Sequence, residues 1–220
     1  VKGAFSVREN CLLIANNACY KCSELTSVAI PNSVKKVGVQ AFRHCTSLTS
    51  VAMGNGLTDI GEYAFSGCSK LSAIVVPDNV TAVRYCAFEG CTALTSAVIG
   101  NGVTLIGWCA FFDCTALTTL TLGKSLETVG ESAFKTCTAI DTIYCYAPVP
   151  PEVYNSGFKD YSATLCVPCS SLADYQSHEI WGLFAGIQCI DAETPTDLPD
   201  TSSTLQSAPN TKFFRNGQLV

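Results

Sequence analysis

Residues 87–107 read AFEGCTALTSAVIGNGVTLIG, and close copies of this stretch precede and follow it at a constant spacing. The dipeptide Ala-Phe recurs every 23 residues, at 41–42, 64–65, 87–88, 110–111 and 133–134. Aliphatic residues occupy the same offsets in each copy. A unit of this length cannot bury its own apolar side. A period that is kept without insertion therefore predicts a solenoid whose coils stack on one another.

The two halves of each repeat predict two different walls. In the half L-x-x-I-x-I, apolar residues two apart indicate a short strand with alternate side chains inward, and stacking joins these strands into one parallel sheet. A proline or glycine then turns the chain. The half S-V-x-x-V-G predicts a short strand or a 3-10 turn on the opposite wall, and Ala-Phe places one aromatic ring per coil in the core.

Fourteen cysteines raise the question of metal, redox or disulfide chemistry. Six of them share one repeat position: Cys22, Cys45, Cys68, Cys91, Cys114 and Cys137. Four have the C-x4-C-x17-C-x4-C spacing of a zinc quartet: Cys86, Cys91, Cys109 and Cys114. Because Cys91 and Cys114 belong to the repeat series, we interpret the six as a structural ladder of buried thiols that donate to turn carbonyls. We predict no metal and no cofactor.

Two possible disulfides stay open at this point. Cys86 and Cys109 precede Ala-Phe in adjacent coils, and Cys166-x-x-Cys169 has a redox or metal spacing. Neither pattern decides between a bridge and two thiols.

The consensus A-F-x-x-C-x-x-L-x-x-I-x-I-P-x-S-V-x-x-I-G resembles the BspA-like, or treponemal-type, leucine-rich repeat of surface proteins from Bacteroidetes-type bacteria. Matching stretches are AFRHCTSLTSVAMGNGLTDIG and AFEGCTALTSAVIGNGVTLIG, and the resemblance covers about residues 10–147. It implies a right-handed leucine-rich-repeat solenoid with a parallel sheet on one wall, about six coils and a C-terminal cap.

The period breaks after Ile143, and the remaining chain changes character. In 148–190, ATLCVP predicts a strand and SSLADYQS a short helix with Ser170 or Ser171 as N-cap, while Trp181, Phe184 and Ile187 suit a core. We predict four segments: a solenoid over 1–147, a capping segment over 148–190, a flexible linker over 191–210, and the start of a truncated C-terminal module over 211–220.

Composition argues against several functional classes. The net charge is −5 and the 13 Lys and Arg residues are scattered, which disfavours nucleic acid as a partner. No apolar run reaches the roughly 18 residues of a membrane span. The two histidines, His44 and His178, complete no known catalytic motif. We therefore predict that the protein is not an enzyme and has no catalytic residue.

Two surfaces are candidates for recognition. Aromatic residues cluster in register near the turn before Ala-Phe and suit a sugar or a protein partner: Tyr63, Tyr85, Trp108 and Phe112. The outward face of the parallel sheet is small and uncharged: Ser50, Ala52, Val75, Val98, Thr119, Thr121 and Tyr144.

The resemblance implies a non-enzymatic binding protein that is secreted or held at the bacterial outer surface. It implies adhesion to a host matrix or cell-surface protein, or to other cells, through the repeat surface. One alternative is a carbohydrate-binding module that uses Tyr85, Trp108 and Phe112. Another is a structural spacer or self-association element that uses the bland sheet face.

Overall fold

The structure is a computed structural model that describes residues 2–190 and the backbone of a short antiparallel strand pair, Phe214–Arg215 and Gln218–Leu219. The predicted linker over 191–210 lies outside the described residues, as does most of the predicted module over 211–220.

Sixteen strands build residues 2–190, and one short helix lies near the end. In chain order the strands are β1 (Lys2–Ser6), β2 (Leu13–Ile14), β3 (Glu24–Ile30), β4 (Lys36–Val37), β5 (Ser50–Met53), β6 (Asp59–Ile60), β7 (Ala73–Val76), β8 (Ala82–Val83), β9 (Ser96–Ile99), β10 (Leu105–Ile106), β11 (Thr119–Leu122), β12 (Thr128–Val129), β13 (Thr142–Cys145), β14 (Glu152–Val153), β15 (Thr164–Pro168) and β16 (Gly186–Ile190). The helix α1 spans Leu172–Ser177, after a 3-10 turn at Cys169–Ser171 and before another at Trp181–Leu183.

The longer strands form the parallel sheet that the sequence predicts. They pair in two runs, β1-β3-β5 and β7-β9-β11-β13-β15-β16. Between neighbouring coils the partners are 23 residues apart, as in Ser27 with Ser50 and Thr119 with Thr142. Alternate side chains are buried, as the pattern of β9 and β11 shows. The predicted alternation is therefore confirmed.

The opposite wall consists of two-residue strands in one parallel ladder, β14-β12-β10-β8-β6-β4-β2. The second residue of each strand from β2 to β12 points into the core and the first points outward. Of the two predicted forms of this wall, a short strand or a 3-10 turn, the structure has the short strand.

The turns that join the walls form a third hydrogen-bonded ladder. Their key residue precedes Ala-Phe and has a left-handed φ between 51° and 56° at Gln40, Tyr63, Cys86, Cys109 and Ser132. This conformation costs a non-glycine residue roughly 1–2 kcal/mol. It directs the backbone N–H toward the next coil, where Tyr63 donates to the carbonyl of Tyr85 and Cys86 to that of Trp108, each at 3.0 Å.

One aromatic ring per coil stacks along the core. Phe42, Phe65, Phe88, Phe111, Phe134 and Phe158 form a column in which neighbouring ring centroids lie 5.1–5.4 Å apart and the planes differ by no more than 13°. Trp181 and Phe184 meet the last ring edge-on. The column therefore continues beyond the periodic sequence and ends on the aromatic residues predicted for the cap.

The cysteine series lies beside the phenylalanine column. Each thiol from the second coil onward donates to a carbonyl 26 residues earlier: Cys45 to Cys19, Cys68 to Phe42, Cys91 to Phe65, Cys114 to Phe88 and Cys137 to Phe111, at 3.1–3.4 Å. These five side chains are at most 3% exposed, whereas Cys22 in the first coil is half-buried. Burial raises the pKa of Cys91 to about 12, so the thiol stays protonated.

The solenoid is longer than predicted, with about eight turns rather than about six. Residues beyond 147 continue its sheets, since β14 pairs with β12 and β15 with β13. The sequence period hides these coils because β14 is offset by 24 residues from β12 and β15 by 22 from β13. At this point the short-strand wall advances one residue more than the 23-residue period, and the sheet of longer strands advances one residue fewer.

The last turns are tied to the solenoid by side-chain hydrogen bonds. The indole of Trp181 donates to the carbonyl of Pro151 at 2.7 Å, and the Tyr175 hydroxyl donates to that of Ala147 at 2.9 Å. Ser171 precedes α1, but its side chain caps no backbone N–H and instead donates to the Pro148 carbonyl at 2.6 Å. Ser171 is therefore the N-cap residue, as one of the two predicted serines, but it caps without a side-chain bond because its hydroxyl donates to the loop instead.

A disulfide joins Cys169, at the start of the 3-10 turn after β15, to Cys189 in β16. The sequence left a Cys166–Cys169 pair open. In the structure Cys166 is a buried thiol that accepts a hydrogen bond from the Gln188 amide. Cys86 and Cys109 also form no disulfide.

Candidate binding groove

Two of the four predicted aromatic residues share a groove on the outside of the solenoid. Tyr85 is 38% exposed and Trp108 is 57% exposed, and both line a depression of about 380 Å³. Tyr63 does not line the depression, but its ring contacts that of Tyr85. Phe112 is half-buried and does not line this depression.

We call this depression the aromatic groove. Its lining residues come from the short-strand wall and the turns beside it: Glu62, Arg84, Tyr85, Leu105, Gly107, Trp108, Thr128, Gly130 and Tyr154. Leu105 and Thr128 are the outward residues of β10 and β12, and Leu105 is 39% exposed. One side of the groove is thus aromatic and the other is formed by strand residues.

Glycines form the floor. Gly107 and Gly130 occupy one register position, which Arg84 occupies in the coil before them. A Cβ on Gly107 would lie 3.0 Å from the backbone of Arg84 and Tyr85, and one on Gly130 would lie 2.8 Å from Gly107. Close backbone contact therefore favours glycine at these two positions, and the missing side chains leave the depression open.

Side chains close the two ends of the floor. Arg84 stands at one end. Tyr154 stands at the other, because the 24-residue offset of β14 moves it into the register of Gly130. Tyr154 is 53% exposed, and its hydroxyl donates to Glu152 at 3.0 Å.

The aromatic side of the groove is held by a chain of ring contacts. The guanidinium of Arg43 lies 4.6 Å from the ring centroid of Tyr63, and the Tyr63 ring meets Tyr85 edge-on at 5.1 Å. A cation over a tyrosine face and a perpendicular ring pair are both attractive. The hydrogen bond with Tyr63, together with the nearby Cys86, raises the pKa of Tyr85, so its phenol stays neutral. This arrangement orders Tyr85 before a ligand arrives.

The charge at the Arg84 end is internally balanced. Asp59, the outward residue of β6, accepts from Arg84 at 2.7 Å and pairs with Lys36 at 2.9 Å. Burial alone would raise the pKa of Asp59, but the hydrogen bonds from Arg84 and Lys36 outweigh it and hold the pKa below its usual range. Arg84 is therefore engaged by the protein itself.

A second depression begins on the other side of Tyr154. This acidic recess, of about 830 Å³, lies between the β14 segment and α1 and is lined by Val149, Pro150, Glu152, Val153, Tyr154, Asp174, Ser177, His178, Glu179 and Ile180. Three carboxylates line it, and no lysine or arginine is among the described residues that do so. The backbone N–H groups of Ile180 and Trp181 approach Nδ1 of His178 at 3.2 and 3.4 Å, so that ring nitrogen acts as an acceptor.

The predicted sheet-face residues lie on β5, β7, β9, β11 and β13 in two outward rows. Ser50 is exposed, and the other six are half-buried: Ala52, Val75, Val98, Thr119, Thr121 and Tyr144. They form a flat surface, and neither depression includes them. Within residues 2–190, no group of three or more His, Cys, Asp or Glu side chains is placed to hold a metal ion.

The sequence over residues 13–141 matches six copies of the BspA type leucine rich repeat region, which is more than half of the chain. The chain belongs to the BspA-type leucine-rich repeat family. Membership of this family suggests a non-enzymatic binding role. No curated protein matches the chain significantly.

Three solved structures are similar to this chain. The pneumococcal vaccine antigen PcpA is 15% identical, with a TM-score of 0.53 over 86% of this chain and 41% of its own. A leucine rich cell surface protein from Faecalibacterium prausnitzii A2-165 is 23% identical, with a TM-score of 0.49 over 77% and 64%. A leucine-rich repeat protein from T. pallidum is 24% identical, with a TM-score of 0.46 over 64% and 57%. The chain spans less than two thirds of the length of each of them.

These BspA-type coils contain little helix. None of the helices in the described part of the chain is both long and apolar enough to span a bilayer.

Proposed function

We propose that this BspA-type protein is a non-enzymatic adhesion module that acts at the bacterial surface or after secretion, and that it binds a host matrix or cell-surface protein. The observation that carries the proposal is the aromatic groove, in which the exposed Trp108 and Tyr85 stand above a glycine floor. Exposed, ordered aromatic residues in a concave site are typical anchors of protein interfaces.

Two further features support a non-enzymatic role outside the cytoplasm. The Cys169–Cys189 disulfide suits an oxidising environment outside the cytoplasm. Four thiols of the ladder offer little nucleophilic chemistry, because Cys45, Cys68, Cys91 and Cys114 are buried and burial raises their pKa values.

The test measures binding of the purified chain to immobilised host extracellular-matrix proteins by biolayer interferometry. Trp108→Ala is expected to weaken binding by about 30-fold, because a hot-spot aromatic contributes about 2 kcal/mol or more. Tyr85→Ala is expected to weaken it as well. Its matched control is Tyr20→Ala, since Tyr20 has the same 38% exposure but lies in the first coil.

A second pair of variants tests the opposite side of the groove. Leu105 and Leu13 occupy the same outward position of the short-strand wall, four coils apart, and are 39% and 58% exposed. Leu105→Ala is expected to reduce binding, and Leu13→Ala is expected to leave it unchanged. Equal effects of the two substitutions would contradict a site in the groove.

A carbohydrate-binding module is the second candidate, favoured by the exposed indole of Trp108. A glycan array probed with the same variants separates the two. Binding to glycans that depends on Trp108, without binding to matrix proteins, would replace the first proposal. If the chain is monomeric by solution mass and binds neither matrix proteins nor glycans, the remaining interpretation is a structural spacer.

A further inference from the structure

We propose that the aromatic groove and the acidic recess together bind one extended segment of a partner polypeptide, with apolar side chains in the groove and lysine or arginine side chains in the recess. This inference rests on the proposed function, since it assigns the chemistry of the partner at the same site. The groove alone would accept many apolar ligands, and the recess is what restricts the choice.

The two depressions meet at one residue. Tyr154 lines both of them, and its hydrogen bond to Glu152 holds the ring upright at the boundary. A ligand that passes over this ring leaves an apolar surface and enters an acidic one without a break. The path runs along the solenoid axis, across the short strands.

The charges along the path are unequal. At the Arg84 end Asp59 is neutralised by two ion pairs, and Glu62 is the single carboxylate among the described residues that line the groove. At the other end Glu152, Asp174 and Glu179 take part in none of the ion pairs of residues 2–190. A cationic partner therefore gains at the recess without displacing an internal cation.

The dimensions fit a short extended peptide. Arg84 and Tyr154 are three coils apart, which at about 4.8 Å per coil is about 14 Å and corresponds to roughly four extended residues. Basic side chains reaching the recess need a few residues more, so a peptide of about eight residues covers both depressions.

The side chains around the path favour a polypeptide over a glycan. Leu105, Val149 and Ile180 provide aliphatic contacts that match leucine-like or valine-like side chains. The one arginine of the groove donates through Nε to Asp59, so only its terminal N–H groups remain for the hydroxyls of a sugar.

The experiment measures fluorescence anisotropy with the full chain and labelled peptides of about ten residues. The probe peptide carries two leucines near one end and two arginines near the other in a glycine-serine background, and is made in both orders. Comparison peptides replace the arginines by glutamates or the leucines by serines. We expect the arginine peptide to bind at least tenfold more tightly than the glutamate peptide.

Three substitutions remove the recess charges: Glu152→Gln, Asp174→Asn and Glu179→Gln. Together they are expected to weaken binding of the arginine peptide about tenfold, because three exposed ion pairs are lost. The affinity for the glutamate peptide is not expected to fall. The matched control changes the same charge at exposed sites elsewhere: Glu9→Gln, Glu24→Gln and Asp141→Asn. It is expected to have little effect, and circular dichroism checks that both triple variants are folded.

Different failures have different meanings. If Trp108→Ala abolishes binding while the recess variant binds both charged peptides like wild type, the proposed groove stands and the recess assignment is wrong. If the control triple weakens binding as much as the recess triple, the effect is one of net charge and the inference is again wrong. If Trp108→Ala changes neither peptide nor matrix-protein binding, the proposed function itself fails.

Discussion

Replacing Phe88 by alanine tests whether the ring column is the main source of coil-to-coil stability. Phe88 is fully buried and stacks on Phe65 at 5.4 Å and on Phe111 at 5.1 Å. Truncating a buried phenylalanine costs about 3–5 kcal/mol through lost transfer free energy and the cavity left behind. Each ring pair contributes about 0.5–1.5 kcal/mol beyond its buried area.

The end of the column provides a matched comparison. Phe42 is equally buried, but it stacks on a single ring, Phe65, because Cys19 occupies the equivalent position in the coil before it. Phe42→Ala loses one ring pair and Phe88→Ala loses two. We therefore expect Phe88→Ala to be the more destabilising by about 1 kcal/mol.

The assay is guanidinium unfolding at equilibrium, followed by far-ultraviolet circular dichroism and by fluorescence of Trp108 and Trp181. Coincident transitions of the two probes license a single free energy of unfolding for each variant. A cost below about 2 kcal/mol for Phe88→Ala, or a larger cost for Phe42→Ala, would refute the stacking argument.

Four further substitutions probe other features. Cys91→Ser should destabilise by about 1–3 kcal/mol, because a more polar hydroxyl enters an apolar column, and Cys91→Ala should cost less; urea unfolding measures both. Since the pKa of Cys91 rises from near 9 in the unfolded chain to about 12 when folded, its stabilising effect is complete below about pH 9 and is lost as the pH rises toward 12. The cost of Cys91→Ala, measured at about pH 7 and pH 10.5, should therefore shrink at the higher value, and an unchanged cost would contradict a buried protonated thiol. Gly107→Ala should lower the free energy of unfolding by about 1–3 kcal/mol, because the added Cβ pushes its coil away from the preceding one. A lower midpoint of thermal unfolding would show this. Cys169→Ser should lower stability by about 3 kcal/mol by opening the loop to Cys189, and adding a reductant to wild type should reproduce the shift.

The repetitive interior could be predicted from the sequence because each of its contacts joins equivalent residues one coil apart. A single offset of 23 places Phe65 on Phe88 and Val28 beside Val51. The positions of these residues can therefore be predicted without knowledge of the rest of the fold. The prediction fails first where the offset changes, at 24 and then 22, and so the last coils were interpreted as a separate segment.

The groove could be predicted in part. Tyr85 and Trp108 are unusual residues in register, and the sequence identifies them. Leu105 is missed because its position varies from coil to coil, with Asp59 and Ala82 before it, and Tyr154 is missed because the offset conceals its register.

Neither the left-handed turn residues nor the Cys169–Cys189 disulfide could be predicted from the sequence. Left-handed residues such as Tyr63 and Cys86 are not glycines, so nothing in the sequence indicates their conformation. The Cys169–Cys189 bridge depends on β16 lying beside β15, which is a tertiary fact.

The two-way bonding of the turns has a consequence for how such a protein changes in length. Each turn gives a thiol hydrogen to the coil before it and backbone N–H groups to the coil after it. Cutting out or duplicating one whole unit therefore rejoins every donor to an equivalent acceptor, whereas a change of another length inside one of these turns would move its donors out of register with the acceptors of the next coil. Unequal recombination in steps of one coil would lengthen or shorten the molecule before Lys36, while the aromatic groove, the residues that hold it and the acidic recess all stay together.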